Sequence, residues 1–338
     1  MTALPTTPSA SPSPAPPRKG RISKERITGA ATLRDGAVVL FLILLFVVLS
    51  FTTDTFLTVG NLKNVVDSSV GMGLIACAGT VVIIAGGFDL SAAAIFAVSA
   101  IVGVKVGNHT QPALGIAAGI LAGCVLGLVN GLLVTVGRIN HFVGTLGTMI
   151  AYGGLATAIS GSGLLLVTDP SFANFANTQF LGFRLSSWFF VGVALLCSFL
   201  LNFTVFGRQA FATGGNLAAA RLSGVSTGKT LVAAYILSGG AAAIAGLVVA
   251  ARSLSVGASS GANLIFDALA AILIGGNSVL GGQGAIWRTL VGVFTLALIS
   301  NGFNLIGVDP IYQQIVSGSI ILLAVGVDAW TRSSSHRT

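Results

Sequence analysis

The chain has 338 residues, 54% of them hydrophobic and 8% charged, with 17 Lys and Arg against 9 Asp and Glu for a net charge of +8. An ordinary soluble domain carries about 25% charged residues, so the composition argues against a soluble enzyme and for a chain solvated by lipid. The basic excess does not indicate nucleic acid, because it is concentrated in a run that directly precedes a long apolar span and acts as a membrane-orientation signal.

The N-terminus reads as a tail. Six of the nine prolines precede Arg18, mixed with Ser, Thr and Ala, a composition that cannot build a core, so residues 1–17 are expected to be disordered. A basic run follows at Arg18, Lys19, Arg21, Lys24, Arg26 and Arg34, opposed only by Glu25 and Asp35. Residues 1–35 thus form a Pro-rich, basic segment held in the cytoplasm. A cleaved signal peptide does not fit, since the apolar stretch 37–52 is long and no small-x-small site closes it.

Ten apolar windows follow, each suited to a helix, because backbone amides in lipid must bond within their own segment. They fall at 37–53, 62–85, 90–106, 113–136, 141–160, 188–206, 230–251, 264–276, 286–306 and 311–330. Most approach the roughly 20 residues that span a bilayer, the third and eighth being short. The expected fold is an all-α integral membrane protein: a bundle of about ten transmembrane helices over 36–331 and a cytoplasmic C-terminal tail at 332–338. With the N-terminus inside, outward segments hold Lys63, Lys105, Arg184 and Arg252, and the other Lys and Arg lie inward.

The fourth window repeats glycine every four residues, Gly115, Gly119, Gly123, Gly127 and Gly131. Such a row shares one helix face and admits a neighbouring backbone. There is also an internal echo: Val82-Ile83-Ile84-Ala85-Gly86-Gly87 is similar to Ile272-Leu273-Ile274-Gly275-Gly276. Each precedes a polar break, one holding Asp89 and Ser91, the other Asn277 and Ser278. A duplicated core with broken helices is a transporter plan, so these four residues are candidates for helix breaks or for the translocation path. Asp89 is the acid deepest in apolar sequence, where a charge costs about 2.5–3.5 kcal/mol. Two roles fit it: capping, with Ser91, a helix that starts at Leu90, or direct contact with solute or proton. Asp67 with Ser68 and Ser69, and Asn263 with Asp267, lie near outward helix ends, where solute contact and interfacial solvation explain them equally.

Between the sixth and seventh windows stands a polar island, Gly207–Thr230, carrying Arg208, Arg221 and Lys229. Gly214 and Gly215 are expected to turn the chain out of the sixth span through positive φ. Ala218, Ala219 and Ala220 then make a small-residue surface helix with Arg221 at its edge, a handle on which a soluble partner can push. Gly224-Val-Ser-Thr-Gly228-Lys229-Thr230 resembles a phosphate loop but has one residue too few between its glycines and no preceding strand. His109, His141 and His336 have no matched nucleophile or acid cluster. Cys77, Cys124 and Cys197 have no metal or redox spacing and read as small packing residues.

Three ordered motifs carry a family resemblance: Gly86-Gly87-Phe88-Asp89-Leu90-Ser91, Gly214-Gly215-Asn216-Leu217-Ala218-Ala219-Ala220-Arg221-Leu222-Ser223-Gly224, and Gly275-Gly276-Asn277-Ser278-Val279-Leu280-Gly281-Gly282-Gln283-Gly284. With Asn301–Val308 they make residues 36–330 similar to the permease subunit of bacterial ABC importers for monosaccharides of the ribose, xylose and galactose type. The resemblance implies two paired permease copies and a cytoplasmic tandem ATP-binding subunit docked on Gly214–Gly224. It also implies an extracytoplasmic sugar-binding protein, and ATP and magnesium held by the partner rather than by this chain. Leu217 stands where such loops commonly carry an acid, and Ala92-Ala93 where Val-Gly is usual. Two further classes are weighed. An ion-coupled secondary transporter should offer buried ionisable groups, for which only Asp89 qualifies, and a membrane-embedded enzyme should offer paired acids or a catalytic histidine.

Overall fold

The computed structural model describes residues 24–309 and, beyond them, residues 311, 312, 315, 318, 319 and 322. The disordered segment expected at 1–17, most of the tenth window and the tail 332–338 lie outside the described residues. The first half of the chain runs through α1 (Lys24–Thr52), α2 (Val59–Ile84), α3 (Ala92–His109), α4 (Pro112–Thr135) and α5 (His141–Ser160). A connecting segment holds β1 (Leu165–Leu166), α6 (Pro170–Asn177), β2 (Gln179–Phe180) and β3 (Phe183–Arg184). Then come α7 (Leu185–Phe203), α8 (Val205–Gly215), α9 (Leu217–Leu222), α10 (Thr227–Ser253), β4 (Ser255–Val256), α11 (Leu264–Ile274) and α12 (Ile286–Leu305).

Seven of these helices are long and apolar enough to cross a membrane, α2, α3, α4, α5, α7, α10 and α12, and shorter apolar helices occupy Gly36–Thr52 and α11. The chain is an all-α integral membrane protein. The described strands are two-residue antiparallel pairs, Leu165 opposite Val256 and Gln179 opposite Arg184. Helix α1 starts at Lys24, so the basic segment expected as tail is helical from there; no proline interrupts residues 18–35, and Lys, Glu, Arg, Ala and Leu are good helix formers. The sixth window divides at Thr204, whose extended backbone ends α7 while its hydroxyl accepts the Gly207 N–H at 3.4 Å to cap α8.

Helix α10 lies at the centre, packed on α2, α3 and α4. The glycine row of α4 makes this possible. Gly115 rests on the α3 backbone at Gly103 and Gly107, Gly119 on Ser99, and Gly123, Gly127 and Gly131 on α10 at Gly239, Tyr235 and Val232. In lipid there is little hydrophobic gain from joining two apolar helices, so close backbone packing must supply the attraction. A Cβ on Gly123 would stand 2.5 Å from the Ala243 Cβ, whereas one on Gly147 of α5 meets nothing within 4 Å. Gly123→Leu is therefore expected to cut the yield of folded protein several-fold in detergent size-exclusion profiles, by the 1–3 kcal/mol or more of an overpacked contact. Gly147→Ala should leave that yield unchanged.

Away from the α8–α9 end, Asp67 ties three elements together. Its carboxylate pairs with Arg184 at 3.3 Å and accepts the Ser187 hydroxyl at 2.7 Å, while Arg252 donates to its backbone carbonyl. Asp67 is 5% exposed, so it is an internal strut of α2, α7 and α10 rather than the interfacially solvated group of one sequence reading. Sequence could not show this, because its partners lie more than a hundred positions away.

Candidate functional site

Helices α2 and α11 end alike. Ala85 and Gly275 are C-caps, followed by Gly86 at φ 83° and Gly276 at φ 85°. The Gly86 N–H donates to the Ile83 carbonyl and the Gly87 N–H to Val82; the Gly276 N–H donates to Leu273 and the Asn277 N–H to Ile272. Both are Schellman ends, a left-handed residue closing the last turn with a six-to-one and a five-to-two bond. The similarity between 82–87 and 272–277 is thus a repeated backbone device. Helix α9 closes the same way at Gly224, φ 80°, with Val225 N–H to Ala220 and Gly224 N–H to Arg221.

The three glycine motifs meet at one end of the bundle. The Gly282 N–H donates to the Ile84 carbonyl at 2.9 Å, stitching the loop after α11 onto the end of α2. A Cβ on Gly86 would stand 3.1 Å from the Gly214 Cα, one on Gly281 2.9 Å from the Gly86 Cα, and one on Gly282 2.6 Å from the Gly215 amide nitrogen. Side chains cannot fit between backbones at these distances, so α8 presses main chain to main chain on the Schellman end of α2 and on the Gly281–Gly282 loop that follows α11. Gly214 and Gly215 are the last residues of α8 and are helical, contrary to the expected positive-φ turn. The chain turns at Asn216 instead, φ −159°, where the side chain accepts the Ala219 N–H at 3.0 Å to cap α9. Glycine at Gly214 serves close approach.

In α9, Ala218, Ala219 and Arg221 are exposed while Ala220 is buried. The small-residue face is thus split: Ala220 anchors the helix and its two neighbours stay open. Beside it lies a cavity of about 850 Å³ whose walls include Gly86, Arg138, His141, Gly214, Leu217 and Arg221.

Asp89 sits behind this junction, 6% exposed. Its Oδ1 accepts the Ser91 N–H at 3.1 Å and the Ser91 hydroxyl at 2.6 Å, and its Oδ2 accepts the Ser238 hydroxyl at 2.7 Å. The network extends from the Ser91 hydroxyl to the Asn130 amide at 2.6 Å, and from Asn130 to the Tyr152 hydroxyl at 3.2 Å. The Phe88 carbonyl accepts from Tyr235 at 3.0 Å and Thr145 at 3.2 Å. Helix α3 begins at Ala92, not Leu90, and its N-cap residue Ser91 makes no side-chain cap of its own; the Asp89 carboxylate holds the turn instead. The void that Asp89 and Ser238 line measures about 10 Å³, at the limit for one water and far too small for a sugar.

Asn277 plays the corresponding part after α11. Its amide donates to the Ile272 carbonyl at 3.1 Å and to the Thr289 hydroxyl at 3.0 Å, its oxygen accepts the Ala285 N–H at 2.8 Å, and Thr289 meets Thr80 at 2.6 Å. Ser278 is buried beside it, its N–H donating to the Gln283 carbonyl at 3.2 Å. All four candidate path residues are therefore interior groups at helix breaks. The polar partners Asn130, Tyr152, Ser238, Tyr235 and Thr145 escaped the sequence reading. A lone asparagine inside the α4 glycine row was the available signal for Asn130.

This arrangement defines a membrane transport permease. The model of the branched-chain amino acid transport system / permease component family matches residues 61–325, and the chain belongs to that family. It is 39% identical over 290 residues to the ribose import permease protein of Bacillus subtilis, covering 85% of this chain and 90% of the relative. It is 34% identical over 302 residues to the L-arabinose transport system permease protein of Escherichia coli K12, covering 89% and 92%. A probable ABC transporter permease protein of Escherichia coli K12 is 35% identical over 283 residues, covering 83% and 85%. No solved structure matches the chain.

Proposed function

We propose that this chain is the membrane-spanning subunit of an ATP-driven importer for a monosaccharide or similar small polyol. The chain itself is not a catalyst: a cytoplasmic tandem ATP-binding subunit docks on α9 and holds the ATP and magnesium. An extracytoplasmic binding protein delivers the sugar to a pair of permease copies whose termini face the cytoplasm. The observation that carries the reading is the backbone contact of α8 with the end of α2 and with the Gly281–Gly282 loop after α11. A push on α9 reaches both duplicated helix breaks through backbone, with no soft side chain between to absorb it. The names of the relatives support the sugar class. Asp89 and Asn277 act as struts that keep those breaks rigid, so a force applied at α9 moves whole helices. The competing reading, an ion-coupled carrier, needs a buried ionisable group exposed to the path, and Asp89 has its two oxygens engaged by Ser91 and Ser238.

Ala219→Trp tests this. Ala219 is exposed on α9 while its neighbour Ala220 supports the helix, so the indole adds bulk outside the bundle. Insertion and folded yield should stay at the wild-type level, co-purified ATP-binding subunit should fall steeply, and ATP-dependent uptake into proteoliposomes should be lost. Normal uptake by this variant, or uptake by the wild-type chain alone under a proton or sodium gradient, rejects the proposal.

A further inference from the structure

The cavity of about 850 Å³ beside α9 has a charge character that the docking reading alone does not explain. Arg138 and Arg221 line it with His141, and among the described residues no Asp or Glu lines it. The surrounding segments, 136–141, 204–230 and 275–288, hold Arg138, Arg208, Arg221, Lys229 and Arg288 and not one acid. The acid closest in sequence to a lining residue is Asp89, three positions after Gly86, and it is buried with its carboxylate occupied by Ser91 and Ser238. Neither Arg138 nor Arg221 has an acidic partner among the described residues. The Arg221 Nε donates to the Thr227 hydroxyl at 3.2 Å, which fixes the guanidinium stem against the start of α10. Arg138 stands in the α4–α5 turn at φ 54°, a left-handed conformation uncommon outside glycine.

We propose that this cavity seats an acidic element of the ATP-binding subunit, so that carboxylates on the partner pair with Arg138 and Arg221 while α9 docks beside them. The inference rests on the reading that α9 is the docking helix. Fixed cations in a concave wall focus their field and steer an anionic partner. Two guanidiniums without internal counter-ions suit carboxylates by fork geometry. Leu217, at the first turn of α9, lines the same cavity, so no described residue offers a carboxylate there and the negative member comes from the partner. The walls also include Val134, Leu231 and Leu280, so a lipid phosphate is the other occupant that the test separates.

The test uses the full-length permease co-expressed with its own ATP-binding subunit and purified in neutral detergent at about 0.05 M and about 0.5 M NaCl, where screening differs strongly. The wild-type complex should shed the subunit at the higher salt. Arg138→Gln with Arg221→Gln should lower retention about tenfold at low salt, as two lost charge pairs imply, and should lose most of the salt dependence. The matching Lys pair should restore much of the retention. Folded yield should be equal for all three, since neither arginine is buried. Unchanged retention and salt dependence in the Gln pair overturns the proposal. So does unchanged retention accompanied by weaker binding to phosphatidylglycerol vesicles, which assigns the cavity to lipid. An Ala219→Trp chain that keeps its subunit overturns the docking reading beneath it, a result separate from that of the Gln pair.

Discussion

A Gly214→Ala permease is expected to insert poorly and to lose ATP-dependent uptake almost completely, while Gly215→Ala transports at close to the wild-type rate. The two glycines are adjacent and both end α8, so helix propensity acts on both alike. Their surroundings differ. A Cβ on Gly214 would overlap the Ile84 carbonyl oxygen and stand 2.6 Å from the Gly282 nitrogen and 2.9 Å from the Gly86 nitrogen, all backbone atoms that no rotamer change can move. One on Gly215 meets nothing within 4 Å. The junction must open for the first variant, which breaks the Gly282-to-Ile84 hydrogen bond along with the contact. Overpacking costs about 1–3 kcal/mol and can exceed this where backbone has to shift; the lost buried bond adds about 1 kcal/mol. Membrane yield, co-purified ATP-binding subunit and uptake measured on both variants decide the matter. Equal uptake would show that α8 does not transmit through backbone contact.

Asp89→Leu should remove folded protein almost entirely, and Asp89→Asn should retain most of it together with most uptake. Leucine leaves the Ser91 N–H and hydroxyl and the Ser238 hydroxyl without their acceptor inside the bundle, each at about 1–3 kcal/mol. The disturbance then passes to Asn130 and Tyr152, which depend on the Ser91 orientation. Asparagine keeps an acceptor oxygen for Ser91, and the Ser238 hydroxyl rotates to accept from the new amide, so only the ionic strength of the bonds is lost. Fluorescence-detected size exclusion reads the first outcome and proteoliposome uptake the second. A well-folded Asp89→Asn protein without transport would make the charge itself functional and revive the ion-coupled reading.

The spans were legible because lipid is an unforgiving solvent. Backbone in hydrocarbon must close its hydrogen bonds locally, so the first nine apolar windows became α1 to α5, α7 and α10 to α12, with ends displaced by about one turn at most except for the start of α1, which lies well before its window. The glycine row of α4 and the echo between Val82–Gly87 and Ile272–Gly276 were visible for the same local reason: packing and Schellman ends use fixed spacings. The motifs that carry the family resemblance were likewise readable as strings.

What those strings do to one another was decided by the tertiary structure. Gly214 looked like a hinge, since glycine serves both positive φ and close approach and its identity cannot distinguish them. Only the fold, bringing the Ile84 carbonyl and the Gly282 amide against it, shows that contact is the reason. Asp89 looked like a helix cap or a path residue, and it is the acceptor of a network drawn from α3, α4, α5 and α10, none of whose members announces its partner in sequence. Asp67 and the cavity lined by Arg138 and Arg221 belong to the same class. A sequence determines by itself what a short stretch of backbone must satisfy in lipid, whereas the pairing of polar groups across helices depends on three-dimensional proximity, which packing alone supplies.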